Sequence, residues 1–172
     1  MKESIIVICL FLAIFGCRKN KNCSKKNNEV EIVKLEVSLF VEKINNYKVS
    51  IDSIRFKLDS IQRDIYKSNE GGVVRVFYNK SDTLKKEVIY YGETGKRLVN
   101  IYQKQGKSVL IEDELINYTK PISVDKDSEI KNRTINVYYL DSQQNLVYWV
   151  KNNQDMHISL YKQQEKEIIS DE

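Results

Sequence analysis

The run from Val73 to Tyr118, VVRVFYNKSDTLKKEVIYYGETGKRLVNIYQKQGKSVLIEDELINY, constrains this chain more than any other part of it. It divides into β-rich pieces, VVRVFY, LKKEVIYY, RLVNIYQ and SVLIEDELINY, separated by NKSDT, GETGK and KQGK. Valine, isoleucine, tyrosine and phenylalanine suit a pleated, partly buried surface. The polar intervals are short enough for hairpins, and Gly95 and Gly106 fall where a tight loop asks for positive φ. Consecutive hairpins make an antiparallel meander. Beyond Tyr118, TKPISVDKDSEIKNR holds the single proline, Pro121, and has no clear period, so a long loop is expected. Strand-like runs resume as TINVYYL, NLVYWVK and MHISLYK, with DSQQ and NNQD as turns, and QQEKEIISDE reads as a charged tail that frays.

The opening MKESIIVICLFLAIFGC carries an apolar run from Ile5 to Phe15. A helix needs roughly 20 apolar residues to span a bilayer, so this run has the length of a signal-peptide core instead. Its ending, Ile14-Phe15-Gly16-Cys17, resembles the lipobox of bacterial lipoproteins. That resemblance implies cleavage before Cys17 and lipidation of its thiol and new amine. Phe15 is bulkier than the pattern favours, and Glu3 nearly cancels Lys2. An acylated anchor of this kind holds a chain on a membrane without spanning it, each buried CH₂ contributing about 0.8 kcal/mol.

Of the three cysteines, Cys9 lies in the signal and Cys17 carries the lipid, leaving Cys23 as a lone thiol. No intrachain disulfide is expected, and the fold must rest on its core. The formal charge of +4 is concentrated in RKNKNCSKK. Setting aside Lys2, Arg18, Lys19, Lys21, Lys25, Lys26 and Glu3 reduces 28 basic and 24 acidic residues to 22 and 23, a net charge of −1. Basicity therefore belongs to a tether suited to an anionic membrane surface. The remainder lacks the basic patch that nucleic acid requires. Some bacterial lipoproteins carry an acidic run after the cysteine that sends them to the cell surface, so the lipoprotein resemblance, with a basic run here, implies the periplasmic side of the outer membrane.

From Val30 to Ile65 the apolar residues Val33, Val37, Val41, Ile44, Tyr47, Ile51, Ile54, Leu58, Ile61 and Ile65 recur at spacings of three or four. From Ile44 onward the spacing is that of a heptad seam. Gly71-Gly72 provides a stop. One straight helix from Glu29 to Tyr66 would be about 57 Å long, whereas strands of five or six residues cover only about 17–20 Å. The length predicts a helix broken at Asn45-Asn46, with pairing to a second copy or strand at Tyr47-Val49-Ile51 or Ile54-Phe56-Leu58 as alternatives.

Together these features predict an α+β chain, an N-terminal amphipathic helical segment followed by an antiparallel meander of about six or seven strands. Its parts are a signal at 1–16, a lipidated Cys17 and tether at 17–28, a helical segment at 29–68, a sheet domain at 72–161 and a tail at 162–172. Tyr90-Tyr91-Gly92-Glu93-Thr94-Gly95-Lys96 is echoed by Tyr102-Gln103-Lys104-Gln105-Gly106-Lys107 and by Tyr138-Tyr139-Leu140-Asp141 with Asn145-Leu146. On these units, Gly71-Gly72 and Pro121-Ile122, residues 70–150 resemble a family of uncharacterised bacterial exported and lipid-anchored proteins with repeated YY-x-D-x-G-K-L hairpins. More distantly the hairpins are similar to MORN-type repeats. The last turn departs from the pattern at Gln143-Gln144-Asn145. The resemblance implies a fold and an address, and no activity.

Candidates for chemistry are few. His157 is the only histidine, and no nucleophile elbow or phosphate-cradling glycine loop is present. Glu112 and Glu114 share one strand face, which an exposed polar edge explains. Asp125, Asp127 and Glu129 alternate like calcium ligands but lack the glycine of a calcium loop and have Lys126 and Lys131 beside them. No cofactor, metal or enzymatic activity is predicted. The aromatics are more suggestive: Tyr78, Tyr90, Tyr102, Tyr139, Tyr148 and Trp149 lie in predicted strands near Arg75, Lys86 and Lys151. Tyrosine combines large area with a polar tip. One sheet face is expected to pack on the helix and the other to offer an aromatic surface to an envelope protein or glycan. Self-association through the 44–65 seam, and inhibition of an envelope hydrolase by a loop at 119–133, are the other readings.

Overall fold

The computed structural model describes residues 21–66, 70–80, 82–121 and 128–170. Cys17, the signal and much of the long loop, including Asp125 and Asp127, lie outside the described residues. The chain divides into two compact units, Met1–Glu36 and Val37–Glu172. In the first, Ile32, Val33 and Leu35 are exposed. No described helix is long and apolar enough to cross a membrane.

Helix α1 runs from Lys21 to Ile54 and so begins inside the segment expected to be a tether. It passes through Asn45-Asn46 without the expected break. Asn45 is useful in mid-helix because its side-chain oxygen accepts the Tyr139 hydroxyl at 3.1 Å. The helix ends without glycine or proline. Near its close, the Ser50 and Ser53 hydroxyls donate to the carbonyls of Tyr47 and Ser50, at 2.6 and 2.8 Å. Such local bonds compete with the helical ladder. A 3₁₀ turn at Arg55–Lys57 follows, and strand β1 (Asp59–Ile65) occupies part of the span expected to be helical. Neither proposed alternative, strand at Tyr47-Val49-Ile51 or at Ile54-Phe56-Leu58, is formed.

Eight antiparallel strands, two more than the lower expectation and one more than the upper, form one sheet in sequential order. After β1 come β2 (Gly72–Asn79), β3 (Asp82–Gly92), β4 (Gly95–Lys104), β5 (Lys107–Tyr118), β6 (Ile130–Leu140), β7 (Leu146–Lys151) and β8 (Gln154–Asp155). Strands β3 to β6 hold 10 to 12 residues, about 33–40 Å at strand rise. The Val37–Ile54 part of α1, about 27 Å long, therefore fits the sheet without overhang. Strands of five or six residues, about half this length, would leave it overhanging.

Turn chemistry fixes the register. Gln105 and Gly106, at φ 53° and 74°, make the β4–β5 turn, and Asn152 and Asn153, at 49° and 64°, make the β7–β8 turn. Two successive left-handed residues match the twist of the flanking strands. Gly95 differs from expectation: it is not at positive φ, but a Cβ there would lie 2.6 Å from the Ile116 carbonyl oxygen. Its role is close approach of β4 to β5. Register shifts at Phe77/Tyr78, Tyr102/Gln103, Asn117/Tyr118 and Tyr139/Leu140 mark bulges, which bend and twist the sheet.

Alternation gives the sheet two apolar faces. One packs on α1 through Ile44, Ile51, Tyr102, Leu110 and Tyr139, with Phe40, Val41 and Tyr47 alongside. The other carries Val88, Val99, Ile101, Ile111, Tyr138, Leu140, Leu146 and Trp149, and packs on helix α2 (Tyr161–Ser170) through Tyr161 and Ile168. The C-terminus thus corrects two expectations. MHISLYK is not a strand, since Ile158–Leu160 is a 3₁₀ turn whose start is capped by the His157 ring accepting from the Ser159 amide. The tail beyond it is helical. Tyr161 and Ile168 are seven residues apart, two helical turns, which puts both on the sheet side. Glu165 adds a tie by accepting the Leu146 amide at 2.7 Å.

Candidate binding site

The six aromatic residues expected to form one surface are divided by strand alternation. Tyr102 and Tyr139, 1% and 6% exposed, are buried under α1, with half-buried Tyr148 beside them. Trp149, 6% exposed, and half-buried Tyr90 belong to the opposite face. Tyr78 is half-buried near the β2 turn, opposite Asp59. Of the expected flanking cations, Arg75 donates to Gln62, whereas Lys86 and Lys151 reach the Trp149 face.

The α1 face holds a charged recess whose members satisfy one another. Lys85, 5% exposed, pairs with Asp52 at 2.8 Å and Glu87 at 3.2 Å. Arg55 reaches Glu87 at 2.8 Å, and Lys48 pairs with Glu112. The Tyr102 hydroxyl donates to Asp52 at 2.9 Å, and burial, with Glu112 and Asp52 close by, raises its phenol well above the ordinary value. Three cations face three carboxylates, so the recess fastens α1 to the sheet and has no surplus charge for a ligand. Glu112 and Glu114 do not act as a carboxylate pair, since Glu114 is bound by Arg133 at 2.5 Å. The sequence does not distinguish Lys85, because neither lysine in LKKEV carries a sign of burial.

The other face is incompletely covered. Between it and α2 lies a cavity of about 550 Å³, within the range of small-ligand sites. Strand pairing places its floor in transverse rows. One row reads Val76, Lys86, Ile101, Ile111, Tyr138 and Trp149 from β2 to β7. The next reads Val74, Val88, Val99, Asp113, Asn136 and Lys151. Tyr90 and Arg97 stand side by side in the third. Gln164, Glu167 and Ile168 of α2 line the opposite wall.

Most polar groups of this cavity are held in place. Arg97 binds Asp113 through Nε and Nη2 at 2.9 and 3.2 Å, and its guanidinium lies 5.9 Å from the Tyr90 ring centre. The Trp149 indole N–H donates to Asn136 at 3.2 Å. The Tyr138 and Trp149 rings are 5.7 Å apart. Tyr161 accepts the Trp149 backbone N–H, and burial raises its phenol. Lys86 is half-buried between Val76 and Ile101 and makes no ion pair among the described residues. The arrangement offers an apolar floor, a fixed aromatic pair and one free buried-side cation, which suits binding. Among the described residues no three His, Cys, Asp or Glu groups are placed to hold a metal ion.

Comparison of the chain with family models, with curated proteins and with solved structures finds no match.

Proposed function

We propose that this chain is a lipid-anchored binding module of the bacterial cell envelope, not an enzyme, which holds a small ligand between its sheet and α2. The observation that carries the reading is the cavity itself: apolar rows, a locked Tyr138–Trp149 pair and a half-buried Lys86 in its wall. A sheet face that existed only for stability would be closed by its covering helix, because interiors pack to crystal-like density. The aromatic face of the sequence reading narrows to the side that bears Trp149. The lipobox-like Ile14-Phe15-Gly16-Cys17 and basic RKNKNCSKK support attachment at the outer membrane facing the periplasm. Labelled palmitate entering the protein, and failing to enter a Cys17→Ala variant, would test that address.

Self-association through the 44–65 seam is less well supported. Ile44, Tyr47 and Ile51 are engaged with the sheet, and Ile65 packs with the opposite cluster.

Trp149 is the only tryptophan of the chain, so its fluorescence reports the cavity alone. The test uses the full chain in phosphatidylcholine vesicles with 8-anilinonaphthalene-1-sulfonate as probe. Saturable energy transfer from Trp149 to the dye, lost in a Val99→Phe variant whose circular dichroism is unchanged, is the expected result. Equal transfer in both proteins, or none in either, would sink the reading.

A further inference from the structure

Building on that reading, we propose that the natural ligand of the cavity is a single-chain amphipathic anion, a carboxylate on an aliphatic body, with its acid group at Lys86. The argument begins with charge. The cavity wall carries three cations, Lys86, Arg97 and Lys151, and two carboxylates, Asp113 and Glu167. Asp113 is held by both Nε and Nη2 of Arg97, and Glu167 also has an interaction of its own. Neither carboxylate stands ready for a cationic ligand. Lys151 is exposed at the end of β7, where water competes for its charge. Lys86 is the unusual group: its neighbours across the sheet are Val76 and Ile101, and nothing among the described residues neutralises it. A cation drawn partly out of water is costly unless paired, and an incoming carboxylate supplies a charge-assisted partner.

The floor specifies the rest of the molecule. From Lys86 the row continues through Ile101 and Ile111 to Tyr138 and Trp149, with Val88 and Val99 in the adjacent row. Branched aliphatic side chains over this length offer dispersion contact without hydrogen-bond readout, which fits hydrocarbon better than a hydroxylated sugar. At the Trp149 end Asn136 is already bonded to the indole N–H and Lys151 opens onto water, so neither calls for a second buried polar head.

The experiment follows Trp149 fluorescence of the full chain in phosphatidylcholine vesicles during titration with decanoate, decanol and decyltrimethylammonium. Decanoate should saturate the signal at about one-tenth the concentration of decanol, the tenfold expected of one charge-assisted contact. The ammonium should bind weaker than either. Lys86→Gln should weaken decanoate about tenfold and leave decanol unchanged, and Lys86→Arg should retain the preference. Decanol binding as tightly as decanoate, indifference to Lys86→Gln, or no response to any of the three would overturn the inference. In each case the naphthalenesulfonate experiment still reports whether the cavity binds at all, so the two readings fail separately.

Discussion

The two faces of one sheet are finished in different ways. Under α1, Tyr102 and Leu110 are 1% and 0% exposed, and the polar groups there are matched, Tyr47 to the Gln103 carbonyl at 2.5 Å and Lys85 to Asp52. Under α2, a helix of 10 residues covers only part of the apolar surface, and the remainder is the cavity. The same β-branched composition serves both faces. What separates them is how much helix lies above, so closure here is a property of the covering element and not of the strands.

The largest effect that tests this contrast is expected from alkali. Burial raises the phenols of Tyr47, Tyr102, Tyr139 and Tyr148 on the α1 side, Tyr148 to about 12, and also that of Tyr161. A phenol whose folded value lies above its unfolded one near 10 stabilises the fold fully below pH 10. That contribution is lost as pH rises through the folded values. Cooperative loss of far-ultraviolet circular dichroism above pH 10, in step with phenolate absorbance, is the expected outcome. Ionisation of all eleven tyrosines with the fold intact would show that the α1 face admits water.

Neighbouring residues of β5 provide the next test. Leu110 points to the closed face and Ile111 to the cavity. Leu110→Ala should cost about 3–5 kcal/mol, whereas Ile111→Ala should cost about 2 kcal/mol, because part of its contact shell is already missing. Urea denaturation measures both, and equal costs would mean that the cavity collapses in solution.

Enlarging side chains gives smaller effects of opposite sign. Val109→Leu on the α1 face should destabilise by about 1–3 kcal/mol through overpacking. Val99→Leu, entering the cavity, should stabilise by about 0.5–1 kcal/mol. Thermal melts of the two variants moving in the same direction would break the comparison.

Much of the sheet was legible in the sequence because hairpins are local. Alternating residues, Gln105-Gly106 and the Asn152-Asn153 pair encode pairing between chain neighbours. The strands' length was less legible, since LKKEV and RTINV mix charges into runs that the sheet nevertheless pairs throughout. The α2 helix is hidden by its composition: in YKQQEKEI, Tyr161 and Ile168 are buried, and charged or polar residues fill the interval. The six aromatics do not share one face, because strand alternation puts Tyr102, Tyr139 and Tyr148 under α1 and Tyr90 and Trp149 on the other side. The cavity could not be foreseen at all, because it is the space α2 leaves over, and no residue type encodes an omission. In the sequence Lys86 reads only as a flanking charge, its isolation depending on cross-strand neighbours that register alone reveals.

The sequential strand order also has a kinetic meaning. Each strand pairs only with its chain neighbours, so the sheet can lengthen by one short closure at a time, each with a small entropic cost. Docking of α1 is a different kind of event, since its bonds from Tyr47 to Gln103 and from Tyr139 to Asn45 close separations of 56 and 94 residues. The meander can therefore form as a zipper, with the helix arriving late as its clasp. Substitutions at Ile44 or Ile51 would then register in the unfolding limb of a chevron plot and leave the folding limb almost unmoved.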